Sequence, residues 1–107
     1  MNEEVEQVQI TLAQLEAKVE KAEKWKKLVA LPLFEELVTK DYLGDDAVRL
    51  TMNLKPKAED NEKTHNMLFA KASFSKFVGH IIEEGYQAEY SIQENEQLRD
   101  ELDAEVQ

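Results

Sequence analysis

The chain has 107 residues, of which 42% are hydrophobic and 34% are charged, and its formal net charge is −10. This length suits one domain, and many charges beside only 3 glycines and 2 prolines are typical of long helices with exposed faces. The absence of cysteine excludes disulfides, thiolate nucleophiles and cysteine-ligated metal centres. The acidic charge disfavours nucleic acid and anionic membranes, and it favours basic partners.

Residues 1–30 predict one long, coiled-coil-like helix. Its apolar residues recur at alternating steps of three and four, a narrow stripe that suits a single partner helix. The stripe consists of Val5, Val8, Leu12, Leu15, Val19 and Ala22, and Lys26 interrupts it. We predict a protein interface formed by Val5, Val8, Leu12, Leu15 and Val19, with Trp25 at its edge. The partner is either another helix of this chain or a second copy.

Residues 32–54 predict two short helices. Pro32 suits the first turn of a helix, and Gly44 suits its end, where a positive φ is common. Asp45 or Asp46 is then expected to cap the next helix, which Pro56 ends.

Residues 55–66 predict an exposed polar linker, and residues 67–107 a long helix that carries most of the core. Its predicted apolar stripe is Met67, Ala70, Phe74, Phe77 and Ile81. We expect the short helices to pack against this stripe through Phe34, Leu37, Leu43 and Leu50. Gly85 costs roughly 1 kcal/mol in a helix relative to alanine, so the long helix is expected to bend or break there.

The C-terminal quarter of the chain is strongly acidic. From Glu83 onward there are nine acidic residues against the single Arg99. The predicted acidic surface consists of Glu94, Glu96, Asp100, Glu101, Asp103 and Glu105. These carboxylates are either the solvated face of a helix or a polyanion that imitates DNA before a nucleic-acid enzyme.

No pattern of residues predicts a catalytic site, a metal site or a bound cofactor. Glu62 and His65 have the Glu-x-x-His spacing of di-iron bundles, but that chemistry needs two such motifs and two further glutamates. No serine lies in a Gly-x-Ser-x-Gly turn, and no phosphate-binding glycine loop occurs. Lysines 18–27 around Trp25 form either a solvated helix face or a docking surface for the acidic tail. Nucleic-acid binding by this cluster is disfavoured because glutamates lie among the lysines.

The order of segments resembles a group of small acidic helical proteins of tailed bacteriophages that are encoded near head and neck genes. The residues that carry the resemblance are Leu33-Phe34-Glu35-Glu36-Leu37-Val38, Asp41-Tyr42-Leu43, Ala47-Val48-Arg49-Leu50, the run from Phe74 to Gly85, and Ala88-Glu89. The resemblance implies a virion or assembly component, and it brings no catalytic residue to this chain.

The sequence therefore predicts a single all-α domain with a long N-terminal helix, two short helices and a long C-terminal helix. We expect a non-enzymatic virion structural or assembly protein that acts through helix-mediated contacts. An acidic inhibitor of a host nucleic-acid or defence enzyme is the alternative. The expected partners are other virion or assembly proteins and further copies of the chain, without direct binding to nucleic acid or membrane. No signal peptide or membrane span is recognisable, so we expect the host cytoplasm or the virion as its location.

Overall fold

The computed structural model describes the backbone of residues 2–106 and the side chains of residues 11–101. In chain order the elements are α1 (Asn2–Val29), α2 (Pro32–Phe34), a π-helix (Glu35–Asp45), α3 (Asp46–Met52), a 3₁₀ turn (Ala58–Asn61) and α4 (Glu62–Val106). No strand occurs in residues 2–106. The all-α prediction is confirmed, and a long helix lies at each end of the described chain.

The chain groups into two compact units. Unit 1 consists of Met1–Trp25 and Ile81–Gln107, and unit 2 consists of Lys26–His80. Both α1 and α4 therefore contribute residues to both units.

Unit 1 is an antiparallel pair of helices that approach closely. Ala22 of α1 and Ala88 of α4 are only 1% and 2% exposed. A β-carbon built on Gly85 would overlap the β-carbon of Ala22, and it would lie 3.6 Å from the carbonyl oxygen of Lys18. Small residues on both helices thus allow the two backbones to come together.

Of the bend or break expected near Gly85, the break does not occur, because α4 runs without interruption from Glu62 to Val106. Gly85 is buried, and none of the described glycines has a positive φ. Its missing side chain makes room for α1. The cost of glycine in a helix is therefore offset by packing between helices, which local propensity does not include.

Unit 2 is built around a long π-helix that the sequence did not predict. Pro32 occupies the first turn of α2, as expected, and Leu31 before it is extended. The helix does not stop at Gly44, which lies within the π-helix and has no positive φ. Asp45 precedes α3 with helical dihedrals and makes no capping hydrogen bond through its side chain. The predicted glycine stop and aspartate cap are therefore both wrong.

The polar segment before α4 is shorter than predicted, since α4 begins at Glu62 rather than near residue 67. Asn61 is buried, and its side chain accepts a hydrogen bond from the Lys55 amide at 2.7 Å. The same side chain donates to the carbonyl oxygens of Lys55 and Lys57 at 2.7 and 3.1 Å. The side-chain amide of Asn61 thus holds the segment between α3 and α4 together by hydrogen bonds.

The buried side of α4 is rotated from the predicted stripe. Leu50 and Ile81 are buried as expected, but Leu37 is 56% exposed and Phe77 is 54% exposed. These two predicted core positions are wrong, and so are Met67, which is 41% exposed, and Ala70, which is also exposed. Among residues 62–101 of α4, the buried positions are Lys71, Val78, Ile81, Gly85 and Ala88. The helix therefore turns a row inward that includes a lysine and a glycine, while more apolar positions remain exposed.

Replacing Gly85 with alanine tests the close approach of the helices. Alanine normally stabilises a helix relative to glycine, but here its β-carbon meets the rigid β-carbon of Ala22. Overpacking of this kind costs roughly 1–3 kcal/mol, so we expect G85A to unfold at a lower urea concentration than wild type.

Gly79 provides a matched control in the same helix, because no atom lies within 4 Å of a β-carbon built there. We expect G79A to be more stable than wild type by roughly 0.5–1 kcal/mol. Urea unfolding followed by circular dichroism measures both variants. Equal stabilisation by G85A and G79A would contradict the close approach.

Candidate functional site

The predicted interface stripe of α1 lies, where its side chains are described, along the helix pair of unit 1. Leu12, Leu15 and Val19 are half-buried, and Val5 and Val8 lie outside the described side chains. A shallow groove beside the stripe is lined by Leu15, Lys18, Glu84, Gln87, Ala88 and Ser91. Of the stripe, Leu15 thus lies beside Ala88 of α4.

The lysine cluster near Trp25 is an exposed face with an ion pair along the helix. Lys24 Nζ lies 3.2 Å from Glu20 Oε1, and both side chains are about 70% exposed. Such exposed pairs contribute only a few tenths of a kcal/mol. Trp25 is half-buried.

The acidic surface of α4 is open to solvent in its described part. Glu94, Glu96, Asp100 and Glu101 are all exposed, and Asp103 and Glu105 lie outside the described side chains. Unit 1 contains 15 acidic residues against four basic ones, a net charge of −11, whereas unit 2 contains eight against nine, a net charge of +1. The acidic field of the protein therefore belongs to unit 1.

His65 and His80 are exposed, as is Glu62. Among the described residues no group of three or more potential ligands could hold a metal ion. None of the described helices is both long enough and apolar enough to cross a membrane.

The main polar feature of unit 2 is a buried ammonium group that the sequence did not point to. Lys71 of α4 is 5% exposed. Its Nζ donates to Asp46 Oδ2 at 2.6 Å and to the carbonyl oxygen of Tyr42 at 2.8 Å. It also lies 3.4 Å from the centroid of the Tyr42 ring, at the distance of a cation–π interaction. Residues 42–46 thus supply every described contact of this charge.

Asp46 joins this cluster to the first turn of α3. Its Oδ1 accepts hydrogen bonds from Arg49 Nη2 at 2.6 Å and Arg49 Nε at 2.9 Å. The hydrogen bond from Lys71, followed by that from Arg49, holds the pKa of Asp46 below its ordinary value of 3.8. The polar groups of this cluster pair with one another and connect the π-helix and α3 to α4. We therefore assign the cluster a structural role rather than a chemical one.

One signal in the sequence could have located Lys71. It lies three residues after Leu68 and seven before Val78, so it occupies an inward position of α4 at helical spacing. A lysine in such a row requires a buried anion or ring opposite it. The acidic residues at 45 and 46 would have been candidates.

The feature of unit 2 that is most relevant to function is its exposed apolar surface. Fourteen large apolar side chains among residues 11–101 are substantially exposed, and eleven of them belong to unit 2. The most exposed are Met52 (80%), Phe69 (74%) and Leu33 (69%). The concentration of exposed apolar side chains in unit 2 makes that unit the candidate for protein contacts.

No protein-family model, no curated protein and no solved structure matches this chain.

Replacing Lys71 with methionine tests the buried ammonium. Methionine keeps an unbranched apolar stem but removes the charge from Asp46 and Tyr42, so we expect K71M to unfold at a lower urea concentration. Glu35→Gln is the control, because the Glu35–Lys40 pair is 3.7 Å long and largely exposed. We expect E35Q to behave like wild type; a K71M midpoint equal to that of E35Q would refute the role of the cluster.

Stability should also depend on pH through Asp46. Its pKa is lower in the folded chain than in the unfolded chain, so its stabilising contribution is complete above about pH 4 and is lost as pH falls below that. We expect D46N to be less stable than wild type at neutral pH and the difference to shrink near pH 3. Urea unfolding at the two pH values measures this, and a difference independent of pH would contradict it.

Proposed function

We propose that this chain is a non-enzymatic structural or assembly protein of a bacteriophage virion that acts through helix-mediated protein contacts. The observation that carries the contact role is the exposed apolar surface of unit 2. Among residues 11–101 only five apolar residues are buried, namely Ala22, Leu50, Val78, Ile81 and Ala88. A core this small beside eleven exposed large apolar side chains supports a surface that a partner covers.

The virion part of the proposal rests on the resemblance to small acidic phage proteins. Residues 33–38 and 41–50, which carry much of that resemblance, form α2, the π-helix and α3 of unit 2. Leu33, Leu37 and Val48 belong to these segments and are all more than half exposed. The resemblance and the exposed surface thus meet on the same segment. The location that follows is the host cytoplasm before assembly and the particle afterwards.

Incorporation into particles tests this proposal. We expect the tagged chain to be found in gradient-purified particles at a fixed ratio to the capsid or neck proteins, measured by quantitative mass spectrometry. The variant L33Q/L37Q keeps side-chain length and helix propensity but removes apolar contact area. We expect its incorporation to fall at least about tenfold, as for loss of central interface residues.

Leu98→Gln is the matched control, because Leu98 is 56% exposed, as Leu37 is, but belongs to unit 1. We expect L98Q to be incorporated normally. Absence of the wild-type chain from purified particles would refute the proposal, and equal loss for both variants would refute the part played by unit 2.

The second candidate is an acidic inhibitor of a host nucleic-acid or defence enzyme. It is favoured by one observation, the exposed carboxylates of Glu94, Glu96, Asp100 and Glu101 within a unit of net charge −11. Exposed carboxylates along a helix can occupy a basic groove that binds DNA phosphates.

Neutralising these four carboxylates to glutamine or asparagine tests the inhibitor. If it acts this way, the protein should displace host enzymes from immobilised double-stranded DNA, and the neutralised variant should do so more weakly and with a flatter dependence on salt. The control variant is E36Q/E59Q/D60N/E62Q, which removes four exposed acidic groups from unit 2. Displacement that is absent, or is unaffected by salt, would exclude this candidate.

A further inference from the structure

The exposed area of the chain is larger than a compact monomer needs. Its accessible surface is 8801 Å². A folded monomer of 12.4 kDa exposes about 6,100 Å². The excess of roughly 2,700 Å² is well above the approximately 800 Å² that each partner buries in a standard interface.

One exposed row runs along α2 and the π-helix. It consists of Leu33, Leu37, Asp41 and Asp45, all exposed and four residues apart. Each member of this row is followed by a residue of the inner side, in order Phe34, Val38, Tyr42 and Asp46. Of these, Tyr42 and Asp46 contact Lys71 of α4, and Phe34 and Val38 are half-buried. The row, which we call the apolar–acidic row, therefore lies to one side of the contact with α4 and remains open.

A second exposed face lies on α4. Phe69 is two residues from Lys71, so at 100° per residue it points away from the π-helix, and it is 74% exposed. Lys76 follows seven residues later, two turns along the same side, and is also exposed. We call Phe69 and Lys76 the apolar–basic face.

The row and the face complement each other in both polarity and charge. The row begins with Leu33 and Leu37 and the face with Phe69. Charge follows further along each, acidic at Asp41 and Asp45 and basic at Lys76. Opposite charges at the ends of an apolar contact favour one orientation and disfavour the reverse. Because unit 2 has a net charge of +1, two copies of it meet without the repulsion that unit 1, at −11, would cause.

We propose that the partner of unit 2 is a second copy of this chain, bound head to tail. The apolar–acidic row of one copy packs on the apolar–basic face of the next. This inference rests on the proposed function and names a partner for the same surface. A head-to-tail contact uses different surfaces on the two copies, so it repeats and builds rings or filaments instead of ending at a dimer.

Analytical ultracentrifugation of the full chain tests self-association. We expect wild type to form species of two or more times the 12.4 kDa chain mass as concentration rises. Two variants each remove one side of the contact, L33Q/L37Q the row and F69Q the face. Each variant alone should weaken self-association at least about tenfold, so that it is monomeric at concentrations where wild type associates. The matched controls are L98Q and Y90Q, exposed apolar positions of unit 1 that should associate as wild type does.

Mixing the two monomeric variants tests the head-to-tail geometry. F69Q keeps an intact row and L33Q/L37Q keeps an intact face, so one productive contact remains. With one variant fluorescently labelled, we expect the mixture to form a species of twice the chain mass and nothing larger. Circular dichroism and thermal unfolding must show both variants folded as wild type; if F69Q unfolds, K76E, which reverses the charge on the same exposed face, replaces it.

Three results would overturn the inference. They are a wild-type chain that is monomeric at every concentration, self-association unaffected by F69Q and K76E, and a mixture that stays monomeric. A monomeric wild type that is still incorporated into particles would remove the second copy and leave the proposed function standing. Association in solution without incorporation into particles would support the second copy as the partner and refute the proposed virion function.

Discussion

Unit 2 depends on the ammonium group of Lys71. A buried charge is costly unless polar groups surround it, and the chain meets this need with the carbonyl and ring of Tyr42 and the carboxylate of Asp46. All three come from one turn of helix at the junction of the π-helix and α3. The position of the π-helix and α3 against α4 is therefore set by directional polar contacts, because few apolar side chains of unit 2 are buried.

Much of the fold could be predicted because the relevant signals are local. The apolar spacing of α1, the proline at the start of α2 and the absence of alternating strand patterns need no knowledge of the tertiary structure. The errors share one cause. Gly44 and Gly85 have strong local preferences as helix stops or breaks, but both lie within helices, and at Gly85 the close contact with α1 explains this. Likewise, the most apolar row of α4 predicts that Phe77 is buried, whereas in the structure Lys71 is buried and Phe77 is exposed.

The candidate sites were predictable to different degrees. Exposure of the acidic residues near the C-terminus follows from their number and spacing, since so many carboxylates cannot be buried together. The apolar surface of unit 2 could not be located in this way, because Leu33, Leu37 and Phe69 look like core residues in the sequence. Their exposed fractions in the folded chain show that they face outward. The division of charge between the two units likewise required the contacts that define those units.

The crossing at Gly85 also determines the alignment of the helices in unit 1. Where two backbones approach this closely, the limit is set by main-chain atoms and a β-carbon, which no change of rotamer can relieve. Sliding α4 by one heptad would place Val78 or Ile92 opposite Ala22, and neither fits a gap that excludes even a methyl group. Two long helices with repetitive patterns can pair in several registers. The missing methyl group at Gly85 favours the present register over those one heptad away.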